Sequence, residues 1–82
     1  MSRTLQINPT SPVFHVSPKF TEFLLFHAEE FALKYYYLDP ENEEMMEALR
    51  EFVPQEPEEA EAIRQIMELI EREEEVELLY GY

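Results

Sequence analysis

The sequence predicts a mainly α fold. It is expected to be a single small domain, 1–82, of three helices over residues 18–38, 40–53 and 57–75, behind an N-terminal arm (1–17) that is extended or a short β-hairpin. Three observations predict it. Prolines stand where helices should begin or stop, at Pro18, Pro40, Pro54 and Pro57. Apolar residues between them recur at helical spacing. No internal repeat or low-complexity linker divides the 82 residues, a length suited to one small core.

In the arm, Pro9, Pro12 and Pro18 exclude a helix. Two β-favouring runs, 4–7 and 13–16, flank the turn-like NPTSP. Ser17 and Pro18 then read as the cap and first residue of helix one. At 100° per residue, Phe20, Leu24, Phe31, Tyr35 and Leu38 share one face of that helix. Leu25, Ala32 and Tyr36 fall near the opposite face, and Phe26, Leu33 and Tyr37 in a third sector. A helix apolar on most sides is normally buried on most sides. Val13, Phe14 and Val16 of the arm cover only part of it, so the remainder calls for another chain. The expectation is a homodimer packed through helix one, with Leu25, Phe26, Leu33, Tyr36 and Tyr37 at the interface and Tyr35 in the core.

Helices two and three are each expected to bury one stripe. Asp39 caps helix two, where Met45, Leu49 and Phe52 face inward, with Met46 and Val53 widening the stripe. Ile63, Ile66, Met67 and Ile70 do so in helix three. The end, 76–82, stays open between a continued helix and a short strand in which Val76, Leu78 and Tyr80 alternate.

Net charge is −13, and it is unevenly placed. Arg3, Lys19 and Lys34 balance Glu22, Glu29 and Glu30 in the first 38 residues. The remainder holds 16 of the 19 acids against Arg50, Arg64 and Arg72. Direct nucleic-acid binding and anionic membrane surfaces are disfavoured, because both need Lys and Arg. The absence of cysteine excludes disulfides and thiolate chemistry. The longest apolar run, Phe23 to Phe26, is far short of the roughly 20 residues of a membrane span. The opening MSRTLQINPTSP lacks the apolar stretch of a signal peptide, so the expected location is cytoplasmic.

No catalytic, cofactor or metal pattern emerges. His27 lies on the main apolar face and pairs at most with Glu30, and a di-iron helix motif would need Glu where Leu24 stands. The acidic DPENEEMMEALRE has proline at the second position and Arg50 where a calcium loop needs its bidentate Glu. With Gly81 as the only glycine, a phosphate cradle is excluded. The expected function is therefore non-enzymatic: an acidic protein-binding module that needs no cofactor and meets a basic surface. A nucleic-acid-binding protein inhibited by mimicry is one such partner. The carboxylates expected to make that face are Glu44, Glu47, Glu51, Glu61, Glu68, Glu71 and Glu75. The alternative is an assembly subunit whose acids only confer solubility. EREEEVE (71–77) bears on the choice, because five acids near a helix C-terminus oppose the helix dipole.

Overall fold

The structure, a computed structural model, describes residues 3–81 and is an α+β fold rather than a mainly α one. Five strands form a single antiparallel sheet: β1 (Arg3–Ile7), β2 (Val13–Val16), β3 (Glu29–Ala32), β4 (Tyr35–Leu38) and β5 (Val76–Gly81). Three helices, α1 (Pro18–His27), α2 (Glu43–Glu51) and α3 (Pro57–Glu71), cover one face. Sheet order is β2-β1-β5-β4-β3, so the last strand lies at the centre.

The arm is a hairpin, with Arg3 opposite Val16 and Leu5 opposite Phe14. A 3-10 turn, Asn8–Thr10, joins its strands. Ser11 Oγ accepts the Ile7 N–H at 2.8 Å, and the Gln6 side chain donates to the Ser11 carbonyl at 2.8 Å. Asn8 also ties this turn to the far end of the chain, donating to the Glu75 carbonyl (3.1 Å) and accepting from the Glu77 N–H (2.7 Å).

The largest departure from the sequence expectation is in 28–38. Helix one stops at His27, where Ala28 still donates to the Leu24 carbonyl but turns extended at ψ 155°. The chain then makes the β3–β4 hairpin, with Lys34 in the left-handed region at φ 69°. The tyrosine run suits a strand once β5 lies alongside to pair with it. In a helix three neighbouring rings must occupy three sectors, whereas a strand alternates them between two faces. Aromatic residues also fit a pleated, half-buried surface. Tyr36 pairs with Leu78 of β5, while Tyr35 and Tyr37 turn to the other face beside Leu79 and Glu77. Tyr35 is thus not a core residue, and the long aromatic helix expected to carry a dimer does not exist.

The other helices are shorter than the sequence predicts. Asp39 does not cap α2; its carboxylate accepts the Glu41 N–H (2.9 Å), and Asn42 caps instead by accepting the Met45 N–H (3.0 Å). α3 ends at Glu71 in a Schellman turn, in which Glu73 donates to Ile70 and Glu74 to Leu69, each at 3.0 Å. Glu73 takes the left-handed position, φ 60°, that glycine normally fills. Residues 76–81 are then free to enter the sheet as β5.

The core lies between the sheet and the helices. Leu5, Ile7, Phe14, Val16, Leu38, Val76 and Leu78 project from the strands onto Phe20, Phe23, Leu24, Met45, Leu49 and Ile66. Phe52 meets Phe20 and Phe23 edge-on, at 5.7 and 6.2 Å between ring centres. One acid is buried with them. Glu59 in the first turn of α3 has 0% exposure. Its Oε1 accepts the N–H groups of Gln55 (2.6 Å) and Glu56 (3.2 Å), and its Oε2 accepts that of Ser17. Next to it, Glu58 accepts the His15 N–H at 3.2 Å and meets His15 Nδ1 at 3.1 Å. Two consecutive carboxylates therefore occupy the outward N–H groups at 15 and 17, closing the β2 edge of the sheet.

Glu59→Ala should lower unfolding stability by about 3 kcal/mol or more in urea titrations, because it strands buried amide donors. Unchanged stability would show that the carboxylate is dispensable. Glu73→Gly should raise stability by about 1 kcal/mol in the same titrations, through relief of the left-handed penalty.

Candidate functional site

The helices leave one face of the sheet uncovered. Register places Ala32, Tyr35, Leu79, Gln6 and Val13 in one row across all five strands. Directly opposite residues of antiparallel strands share a face, so this row is continuous. Phe31 leaves regular pairing at a bulge, and its ring lies 5.9 Å from that of Tyr35. Phe31 and Val13 are exposed, and Tyr35 and Leu79 half-buried.

A second row, Glu29, Tyr37 and Glu77, crosses β3, β4 and β5 on the same face. Its chemistry is read from Tyr37. Burial, then the carboxylates of Asp39, Glu75, Glu29 and Glu41, push the Tyr37 hydroxyl above its ordinary value. Acids from three separate stretches of chain thus converge on one phenol. They come together because β3, β4 and the entry to β5 begin or end at the same edge of the sheet. The result is an apolar and aromatic strip bordered at one end by carboxylates.

The acids singled out from the sequence fare unequally. Glu44, Glu47 and Glu51 lie exposed along α2. Glu61 and Glu68 are largely neutralised: Arg64 bonds both, and Arg72 bonds Glu68 as well. Hydrogen bonds from Arg64 and Gln65 hold the Glu61 carboxyl at about 2. Glu71 is exposed at the end of α3. Glu75 lies beyond the helix, in the loop before β5, and joins the Tyr37 group. The structure therefore does not array the seven along two parallel helices. It gathers one of them with Glu29, Asp39, Glu41 and Glu77, which helical spacing could not find. Two-residue alternation through 35–38 and 76–80 is the signal for the two strands that bring them together.

The five residues expected at an oligomer interface also separate. Tyr37 belongs to the acidic end of the open face. Leu25, Leu33 and Tyr36 line a groove on the helix side, between α1 and the β3–β4 turn. Phe26 is exposed on α1, beside His27. His27 is partly buried at the end of α1, with the Phe23 ring 5.4 Å away. Among the described residues, no group of three or more His, Asp or Glu side chains is placed to hold a metal ion, and no helix is long and apolar enough to cross a membrane.

The Glu61 pairing has a testable pH signature. Its folded-state value lies below the ordinary carboxylate range, so the pairing stabilises the fold above that range and is lost as pH falls toward 2. A carboxyl-detected NMR titration should give a midpoint of about 2 for Glu61. Arg64→Ala should raise it toward the ordinary value of about 4.3 without reaching it, because the Gln65 hydrogen bond to Glu61 remains. An ordinary midpoint in the unsubstituted protein would refute the pairing.

No protein-family model, curated protein or solved structure matches the chain.

Proposed function

We propose that the chain is a non-enzymatic binding module that presents carboxylates to a basic protein surface. The observation that carries this reading is the open sheet face, with its apolar row beside the acids gathered round Tyr37. Each part has a physical task. Phe31, Tyr35 and Leu79 supply surface whose burial drives association, and tyrosine adds a large ring with a hydroxyl that can stay hydrated. The carboxylates select and steer a cationic partner. Glu41 leads into α2, whose exposed Glu44, Glu47 and Glu51 extend the negative field along the helix. A net charge of −13 favours the same sign of partner and disfavours nucleic acid itself.

Nucleic-acid-binding proteins are one class of partner with such a surface. Mimicry in this case rests on the sheet end and α2, because the α3 acids Glu61 and Glu68 are already paired with arginines.

The reading is tested by capture on the immobilised full chain from an extract of the source cell, with elution by salt. Basic proteins should elute as salt rises, and the double variant Glu29→Lys/Glu77→Lys should weaken capture at least tenfold. Glu61→Gln should change it little. Capture that ignores salt, or that survives the double reversal in a folded protein, refutes the proposal. Displacement of the captured protein by duplex DNA would identify the mimic form.

A further inference from the structure

The open face of the sheet is not level. Thr4, Gln6, Val13, Leu79 and Gly81 line a hollow of about 300 Å³ at the end of that face away from Tyr37. Its cause is one residue. Gly81, the only glycine of the chain, ends β5 opposite Thr4 and places no side chain on the face. Nothing among the described residues requires glycine there. Its φ lies outside the left-handed region, and an added Cβ would meet Thr4 Oγ1 at 3.5 Å, an ordinary contact. Glycine weakens a strand, and inside one it often marks a place that another molecule approaches closely. Lys34 also borders the hollow but is already engaged within the chain, so the hollow selects by shape and not by charge.

The hollow and the acidic end stand in register. Gly81, Leu79 and Glu77 follow one another on the open face of β5 at every second residue, each step roughly 7 Å. Hollow, apolar row and acidic row are therefore three successive levels, with roughly 13 Å between the first and the last. An extended segment laid along β5 has the same two-residue period, so its side chains i, i+2 and i+4 meet the three levels in turn. The first two levels take apolar side chains, at the hollow and on Leu79 and Tyr35. Charge complementarity sets the third. Tyr37 stands between Glu29 and Glu77, each directly opposite it on a neighbouring strand. A guanidinium laid on that ring has a carboxylate on either side, and its flat fork suits ring and carboxylates better than an ammonium does.

We infer that the hollow at Gly81 receives an apolar side chain of the basic partner. That side chain belongs to an extended segment laid along β5, whose arginine four residues away lies on Tyr37 between Glu29 and Glu77. The inference rests on the basic-partner reading and adds to it the form of the segment. The probes are labelled extended peptides with valine at the first and third positions, arginine at the fifth and threonine between, together with the reverse order. Each is titrated with the full chain by fluorescence anisotropy. One order or both should bind saturably. Citrulline in place of arginine should weaken binding at least tenfold, and lysine at least threefold. Moving the arginine by one residue, which turns it to the other side of the segment, should cost at least tenfold. Gly81→Val should also weaken binding at least tenfold, yet keep or raise the urea midpoint of the chain, because a β-branched residue suits a strand. Gly81→Ala, whose methyl the contact distance accommodates, should act in the same direction. Binding that ignores Gly81→Val, equal binding of the shifted peptide, or no binding of either order overturns the inference. Basic proteins still captured and eluted by salt would then leave the basic-partner reading standing alone. Capture that ignores salt removes that reading and this inference with it.

Discussion

Two adjacent carboxylates at the start of α3 hold the molecule together at its most demanding junction. Burying an ion is tolerable only when its lone pairs are filled, and Glu59 fills them with the N–H groups of Ser17, Gln55 and Glu56. That one side chain fixes where β2 passes into α1, where α3 begins, and how far apart they lie. Glu58 repeats the device one step outward, on His15. Without this clamp the β2 edge would present unpaired donors at His15 and Ser17. Acidity here is architecture before it is function.

The second constraint is topological. β5 is the last strand and yet pairs with β1 on one side and β4 on the other. The sheet cannot close until the whole chain is present, and the ordering cost of such distant contacts falls before their reward. Asn8 marks the closure, with its side chain bonded to the backbone of Glu75 and Glu77. The same closure gathers the acids. Residues 29, 39, 41, 75 and 77 converge on Tyr37 only because three strands begin or end at one edge. The negative end of the open face is thus a consequence of where β5 inserts.

The acids consequently divide by task. Glu58 and Glu59 hold the fold, and Glu61 and Glu68 answer the arginines of α3. The group round Tyr37 and the α2 stripe remain to act outward. Exposed ion pairs contribute little to stability, so the arginines matter chiefly for the field they cancel. The neutral, apolar first part of the chain ends up on both sides of the sheet: Leu25, Leu33 and Tyr36 border one groove, and Phe31 and Tyr35 belong to the opposite face.

By itself the sequence determined the net charge of −13 and where along the chain it falls, and it marked α2 and α3 through apolar spacing and Pro57. It also marked the β-favouring runs 4–7 and 13–16 as strand material, and left 76–82 open between helix and strand. It misled over 28–38, where helical spacing of Phe31, Tyr35 and Leu38 fits as well as strand alternation does. Only the tertiary structure decided that stretch. A lone strand of tyrosines has nothing to satisfy its backbone, and helix is then the better local answer. Once β5 lies alongside, Tyr36 against Leu78 and Leu38 against Val76, the ladder and the buried side chains together outweigh a helix that would leave rings on every side. Local spacing records which residues are apolar; which of them face inward was settled by a strand some forty residues away.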